Sequence, residues 1–451
     1  MREYNLKTEP LQFITIKELS VKSEINTHGT AMISGYIADE HAKEYLNMLS
    51  QDVWEKIVQV GNDGEEQILF WGVITGFSME TINEQKKMTL ELTTGTFYMD
   101  INKHFRTYQD SNTTYGMIFE QITATYRDSG IIKNKPLTDT TDELILQYKE
   151  TDWGFLKRLA SKFQSFLVPS LTTGGVKYFL DLPKRNRYEL PEMDKCMIRK
   201  SIGAVCLEYC IESRENYQIG DQIKINGAQF YVYRVESKYE RGEILHTCYS
   251  KAKEGLNTMQ VFQDNLAGCS FLADVTQIKD DKVQISVLED ENKEQNINLW
   301  YPYSTVYSTP DGTGWYCMPE VGDTVRLHIP SSCEEEAYVI SSVHLDTNSS
   351  DRKNPDHKII KNKYQKEVRF TPDSIVLTNN QGTRIELTDS SGVTIVSQHD
   401  VVIKAKDNLV LSSENGSLTA AGTTSVNLKQ KTTSIDIAQG ISFTGGELKV
   451  Q

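Results

Sequence analysis

The C-terminal stretch, residues 366–451, repeats a short pattern of apolar run and turn and contains only Phe370 and Phe443 as aromatic residues. A globular core normally relies on large rings, so this stretch has to bury itself by other means. Within each run the aliphatic residues alternate with polar ones, and Asn-Gly, Ser-Gly or Thr-Gly pairs separate several runs, which predicts a series of short strands. The runs begin near Ile375, Ile385, Val393, Val401, Leu409, Leu418, Val426, Ile435, Ile441 and Leu448.

Strands this narrow, each with about two inward aliphatic side chains, cannot enclose a core within one chain. Several copies wound around each other can do so, and an intertwined homotrimeric β-prism satisfies the pattern. A β-solenoid built from a single chain has the same periodicity. The periodicity alone leaves both structures open.

Three further regions precede residues 366–451, which we call the needle. Residues 346–365 are polar, charged and interrupted by Pro355, which predicts a linker. Residues 265–345 alternate apolar and polar positions in several short runs, as five strands of a small OB-type barrel would. Residues 1–264 combine dominant strand patterns with two helices and predict a separate domain. The chain as a whole is therefore expected to be mainly β.

The two helices in the first region have recognisable ends. In residues 114–130, Thr114 can cap the N-terminus and Gly130 can end the helix. In residues 150–163, either Thr151 or Asp152 can cap the N-terminus. The apolar stripe of this second helix predicts core positions and consists of Phe155, Leu156, Leu159 and Phe163.

Charge and composition restrict the partners and the location. The formal net charge of -14 opposes binding to phosphate backbones, so nucleic acid is not an expected partner. The N-terminus lacks a secretory signal, and no apolar run approaches the length of a membrane helix. The seven irregularly spaced cysteines suit free thiols in a reducing compartment. We therefore expect a cytoplasmic protein, unless a larger particle carries it out.

The sequence gives no local support for enzyme chemistry. Common nucleophile, nucleotide-binding and zinc-protease motifs do not occur, so we expect neither an enzyme nor a bound cofactor. Cys206 and Cys210 form a C-x-x-x-C pair without a second pair at zinc spacing, so no metal site is expected. The run Glu334-Glu335-Glu336 lies in a predicted loop and is interpreted as a solvated face rather than a catalytic cluster.

Three segments resemble, in this order, the VgrG family of type VI secretion spikes and their relatives in extracellular contractile particles. ETDWGFLKRLASKFQSFLV, residues 150–168, resembles a helix of the family's hub. TGWYCMPEVGDTVRLHIPSSCEEEAYVISSVH, residues 313–344, resembles its barrel. TRIELTDSSGVTIVSQHDVVIKAKDNLVLSS, residues 383–413, is similar to the start of its needle.

This resemblance implies a structural, non-enzymatic central spike. Residues 1–264 would be a hub of tandem β-barrels that faces a hexameric inner tube, residues 265–345 an OB collar, and residues 366–451 a trimeric prism. The partners implied are two further copies of the chain, inner-tube and baseplate proteins, and transiently a target membrane. The protein would be cytoplasmic during assembly and then part of a contractile particle that is delivered or released.

Two other functions stay open. A particle-borne glycan hydrolase would need paired carboxylates and sugar-stacking rings in one groove. A receptor-binding tail fibre should end in a head rich in aromatic residues, whereas this chain loses its rings toward the C-terminus.

The C-terminal end is a candidate docking face for a tip protein. The segment GISFTGGELKVQ contains no metal ligand beyond Glu447, so a metal-free tip is expected. On three chains, its apolar residues would form a small platform for a PAAR-like cap protein, or they would simply complete the last layer of the prism. These residues are Ile441, Phe443, Leu448 and Val450.

Overall fold

The computed structural model describes residues 5–61, 64–190, 195–200, 206–240, 242–345, 349–437 and 441–444. The chain divides into two compact units, Met1–Leu345 and Asp346–Gln451. Strands dominate both units and helices are few, so the expected mainly β fold class is confirmed.

The first unit contains three α-helices and most of the strands. The helices are α1 (Ala42–Met48), α2 (Tyr115–Ala124) and α3 (Asp152–Lys162). The strands are β1 (Asn5–Glu9), β2 (Thr15–Glu24), β3 (Thr30–Ile37), β4 (Trp54–Val60), β5 (Glu66–Ile82), β6 (Gln85–Thr93), β7 (Lys103–Tyr108), β8 (Gly130–Lys133), β9 (Ile145–Thr151), β10 (Leu167–Pro169), β11 (Lys177–Leu180), β12 (Arg187–Glu189), β13 (Lys195–Arg199), β14 (Glu208–Ser213), β15 (Gln222–Ile225), β16 (Ala228–Glu240), β17 (Glu243–Lys251), β18 (Cys269–Lys279), β19 (Lys282–Val287), β20 (Tyr301–Ser304), β21 (Thr324–Ile329) and β22 (Tyr338–Ile340).

One large sheet forms the frame of the first unit. Its strands follow the order β1-β4-β5-β6-β3-β2-β16-β17-β14-β13, with β15 joining β12 to β16. Alternating aliphatic and aromatic positions of these strands are fully buried, as in Ile33, Phe70 and Leu90. Beside it lie a small sheet of order β10-β11-β8 and the pair β7-β9.

Two helices pack with the small sheets, and their N-terminal caps are the expected ones. The Thr114 hydroxyl accepts a hydrogen bond from the Met117 amide, and the Thr151 hydroxyl accepts one from the Gly154 amide at 3.1 Å. The expectation that Gly130 ends the first of these helices is wrong. Helix α2 ends at Ala124. The next residue, Thr125, donates hydrogen bonds from its amide and its hydroxyl to the Ile122 carbonyl. The α3 stripe is confirmed as core, because Phe155, Leu156 and Leu159 are buried and Phe163 packs against them.

Strands β18 to β22 close into a barrel of order β18-β19-β20-β22-β21, in which β20 and β22 pair in parallel. The alternation seen in the sequence fills this barrel, since Val325, Leu327 and Ile329 are fully buried. Leu144 and Leu146, which precede and begin β9, belong to the same apolar cluster. The barrel therefore shares a core with residues far upstream, and the boundary expected at 264/265 stays a prediction.

The second unit is built from antiparallel meanders. Its strands are β23 (Lys358–Lys361), β24 (Glu367–Phe370), β25 (Ser374–Thr378), β26 (Arg384–Thr388), β27 (Gly392–Val396), β28 (Val426–Gln430), β29 (Thr433–Ile437) and β30 (Ile441–Thr444). Strands β23 to β27 form one sheet in chain order, and β28 to β30 form another.

The tail repeats agree with these strands only in part. The runs that begin near Ile375, Ile385, Val393, Val426, Ile435 and Ile441 are strands. Residues 397–425 are described and contain no strand, so the runs expected at Val401, Leu409 and Leu418 are wrong for the single chain. A strand needs a neighbour to satisfy its amides and carbonyls, and one copy of this segment offers none.

Candidate assembly interface

One face of the sheet β23 to β27 carries apolar side chains on all five strands, and Lys358 of β23 is its one charged member. Residues paired in an antiparallel ladder share a face, and alternate residues along a strand share it as well. The register aligns Phe370, Ile375, Leu387 and Val393 in one row, and Ile360, Val368, Leu377, Ile385 and Ile395 in the next. We call these nine residues the tail apolar face.

The tail apolar face is uncovered in the single chain. Eight of its nine side chains are exposed, from 37% for Ile385 to 67% for Val393. Among the described residues of the second unit, no aliphatic or aromatic side chain is buried. An apolar surface that a chain exposes so regularly marks an interface, because each such side chain gains about 1.5–3 kcal/mol when it is fully buried.

The opposite face of the same sheet is mostly polar, with three aliphatic side chains among its charged and hydroxyl groups, and several of its charges are paired. Asp351 accepts hydrogen bonds from Lys361 at 2.7 Å and from Arg369 at 2.9 Å. Arg369 also donates to Glu367, and this bond holds the pKa of the Glu367 carboxyl below its usual range. The two faces therefore differ as a solvent-facing side and a partner-facing side would.

Residues 397–425 extend the exposed apolar surface along the chain. Val402 is 70% exposed and Val410 is 79% exposed, and Ile403 and Leu411 are also open to solvent. These aliphatic residues lack both a strand neighbour and a covering layer in one copy of the chain. A partner that supplies strands here would satisfy the backbone and bury the side chains together.

The predicted tip residues fall at the edge of what the structure describes. Ile441 and Phe443 lie in β30, where they pair with Ile437 and Ile435 of β29. Leu448 and Val450 lie outside the described residues. Their role as a docking face stays a prediction.

Sequence reasoning missed a buried ionic contact between helix α3 and the barrel. Arg158 is 8% exposed and donates to both carboxylate oxygens of Glu150 at 2.9–3.1 Å. It also donates to Glu334, in the turn before β22, at 2.8 Å. The interpretation of residues 334–336 as a solvated face is therefore wrong for Glu334. No local pattern could reveal this pair, because its members lie 176 positions apart.

A second polar contact fixes the barrel against β7. The buried carboxylate of Asp290 accepts the Thr107 amide at 2.8 Å, and Glu291 accepts the Phe105 amide at 3.0 Å. Burial raises the pKa of Asp290, although the hydrogen bonds oppose this shift. Phe105 in turn packs on Phe271 of the barrel, with ring centroids 4.9 Å apart. The barrel is thus attached to β7 by hydrogen bonds from backbone amides to carboxylates and by a contact between tilted aromatic rings.

The structure also bears on the other candidate residues. Cys196 lies opposite Ile211, and Cys210 opposite Met197, in the ladder of β13 and β14. Within the described ranges, no group of three or more His, Cys, Asp or Glu side chains is arranged to hold a metal ion. None of the helices seen in these ranges has the length and apolar character to cross a membrane.

Several solved structures have a fold similar to that of this chain. The chain is similar to the E. coli c3393 protein, with 15% sequence identity and a TM-score of 0.54. The c3393 protein is described as a component of the type VI secretion system with structural similarity to the T4 bacteriophage tail proteins gp27 and gp5. That match covers 74% of this chain and 99% of the other. The Francisella PdpA-VgrG complex in its half-lidded form matches with 10% identity and a TM-score of 0.57 over 88% of each chain. The lidless PdpA-VgrG complex has a TM-score of 0.58 at 10% identity, over 88% of this chain and 98% of the other.

Comparison of the sequence with protein-family profiles and curated proteins finds little similarity. The profile of the Alg8 N-terminal domain matches residues 8–171, which is less than half of the chain. No curated protein sequence matches. At these low identities the structural likeness establishes the fold, and the resemblance to the VgrG family is confirmed at that level.

Proposed function

We propose that this chain, with its VgrG-like fold, is the structural central spike of a contractile injection machine and acts as a homotrimer. The tail apolar face carries this proposal. A five-stranded sheet whose one face carries nine apolar side chains, almost all of them uncovered, is stable in water only when that face is covered. Identical copies are the simplest cover, because the same face is present on each of them.

The barrel and the large sheet of the first unit would form the collar and the hub of this spike. The barrel β18 to β22 has the strand order and the single parallel pair that we assign to an OB-type collar. The large sheet and its helices would form the hub that meets inner-tube and baseplate proteins, and a PAAR-like protein would sit on the tail. The spike would assemble in the cytoplasm and contact a target membrane only when the particle fires.

The proposed role is mechanical rather than enzymatic. Among the solved structures with this fold, the E. coli c3393 protein is described as a component of the type VI secretion system, and the Francisella structures are described as PdpA-VgrG complexes. The Alg8 N-terminal domain match covers residues 8–171, whereas the likeness to the PdpA-VgrG complexes covers 88% of the chain, so we give the fold more weight. Force would come from other parts of the machine, and paired strands would let the tail carry it.

Light scattering on the purified full chain tests the trimer. We expect three times the chain mass of 51.3 kDa. Ile395→Asn, on the tail apolar face, should shift the mass toward the monomer, because an amide would be buried without a partner. Its neighbour Thr394 points to the opposite face, so Thr394→Asn is the matched control and should remain trimeric. A wild-type monomer at micromolar concentration would exclude the trimer.

A further inference from the structure

A cleft of about 970 Å³ opens in the first unit, far in sequence from the tail apolar face. Four aromatic side chains line it, and we call it the aromatic cleft. Trp54 and Trp71 come from adjacent strands of the large sheet, Tyr98 from the turn before β7, and Tyr126 from the segment after α2. All four are partly exposed, so their ring faces or edges remain accessible to a ligand.

Hydrogen bonds and ring contacts hold the tyrosine rings in place, partly with other residues of the cleft lining. Tyr98 donates its hydroxyl hydrogen to Asp52 at 3.1 Å and lies 6.2 Å from Trp54 between ring centroids. Tyr126 donates to the buried carboxylate of Asp152 at 2.7 Å. A ligand would therefore meet rings whose positions are already fixed, which lowers the entropic cost of binding.

A glycine brings one wall of the cleft against an indole ring. A Cβ atom at Gly174 would lie 2.9 Å from Cε2 of Trp71, which is closer than such atoms approach. The absence of a side chain at this position thus lets the turn between β10 and β11 pack directly on the ring. Trp71 is supported from a second direction by Lys56, whose ammonium lies 5.8 Å from the ring centroid.

The polar groups of the cleft distinguish between ligand classes. Two carboxylates, Asp52 and Asp128, are balanced by two cations, Arg127 and Lys177. A site for nucleotides, nucleic acid or sulfated polymers would need an excess of positive charge, which this lining lacks. The balanced set of carboxylate, amide and ammonium groups instead offers donors and acceptors to an uncharged ligand.

A peptide strand finds no docking edge here. The bordering strands β4, β5 and β11 each have hydrogen-bonded neighbours on both sides. Strand addition requires an unpaired edge, so this common mode of peptide recognition is not available in the cleft.

We propose that the aromatic cleft binds an uncharged oligosaccharide, a function separate from trimer formation. The C–H faces of sugar rings carry slight positive charge and stack on the negative faces of indole and phenol rings. Sugar hydroxyls exchange hydrogen bonds with Asp52, Asp128 and Lys177 at the rim. Concave shape, apolar platforms and a few convergent polar groups are the usual features of a ligand site.

Two β-1,4-linked tetrasaccharides, of glucose and of N-acetylglucosamine, serve as probes in calorimetric titrations of the full chain. We expect at least one to bind with a Kd of about 1 mM or tighter. Trp71→Ala should weaken binding at least tenfold, and Trp71→Phe should retain most of it because a stacking face remains. Trp315→Ala is the matched control, since this ring is 62% exposed and lies in the barrel segment between β20 and β21. Asp128→Ala removes a rim carboxylate that is 76% exposed, and because Asp128 has a φ of 51°, where alanine is strained, the melting temperature of this variant is measured alongside its binding.

Three outcomes would overturn the proposal. One is that neither tetrasaccharide binds below about 10 mM. Another is that Trp71→Ala and Asp128→Ala both bind as the wild type does. The third is that Trp71→Ala changes the mass found by light scattering, which would make the cleft a contact between copies instead. Loss of saccharide binding with an intact trimer would leave the proposed spike function standing.

Discussion

At the scale of single residues, Arg158 forms a buried ionic link between α3 and the barrel. It pairs with Glu150 and Glu334, and it also donates to the Leu146 carbonyl at 2.7 Å. Removing one partner of a buried ion pair costs about 3–5 kcal/mol, because the remaining charges stay buried and unpaired. We expect Arg158→Leu to lower the free energy of unfolding by that amount.

Chemical denaturation of the full chain measures the effect of Arg158→Leu. Arg127→Leu serves as the control, because Arg127 is 97% exposed and should change stability by less than about 0.5 kcal/mol. Equal effects of the two substitutions would mean that the contact between α3 and the barrel contributes nothing to stability.

Glu55 should make the stability of the fold depend on pH. The side chain is fully buried in β4, one carboxylate oxygen accepts the Leu11 amide at 3.1 Å, and the other has no hydrogen-bond partner. Burial raises the pKa of Glu55 to about 8 from an ordinary 4.5. The folded state therefore holds this proton to higher pH than the unfolded state does, so stability should fall as pH rises from about 4.5 to about 8.

Glu55→Gln removes this titration and should flatten the slope of stability against pH in that interval. Its amide can still accept the Leu11 amide hydrogen, and any cost of the unpaired NH2 group is the same at every pH. Thermal melting of both proteins at pH 5, 6, 7 and 8 gives the comparison. Parallel curves for the two proteins would show that Glu55 does not hold its proton in the folded state.

At the scale of elements, residues 397–425 are expected to become strands only in the assembly. Ile403 is 62% exposed in the single chain, and its alternation with Val401 and Ala405 would place it toward the axis of the proposed trimer. Ile403→Asp would bring three carboxylates into one apolar layer, and we expect it to lower the melting temperature far more than Lys404→Asp beside it. Melting of the full-length trimer compares the two variants, and equal shifts would mean that the strand register is different.

The elements also show how far sequence reasoning reaches. Local rules found the Thr151 cap, the α3 stripe and the alternating positions of the barrel and of β25 to β27, since all of these depend on neighbouring residues. Local rules failed where the structure depends on residues that are far away in the sequence or on contacts that the segment itself does not make. The Arg158–Glu334 contact needs the tertiary fold, and the runs at Val401 and Leu409 form no strand in the described chain although their alternation predicts one.

At the scale of the whole molecule, the two units bury their apolar residues differently. The first unit encloses four apolar clusters within a single chain. The second unit places its aliphatic residues on the tail apolar face and along residues 397–425, where they are exposed in the described part of the chain. The first unit should therefore keep its fold when the tail is separated from its partners, whereas the tail should depend on protein concentration.

The C-terminal end gives the last prediction. Strand β30 pairs with β29, so a chain that ends after Thr444 keeps this ladder and lacks residues 445–451, which include Leu448 and Val450 but neither Ile441 nor Phe443. If Leu448 and Val450 form an apolar platform on three chains, the shortened spike should remain a trimer but lose a co-expressed PAAR-repeat cap protein during purification. Leu448→Asp should give the same loss, while Lys449→Asp, its polar neighbour, should retain the cap. If the shortened trimer still holds the cap, the docking face lies elsewhere, and the terminal residues only complete the last layer of the prism.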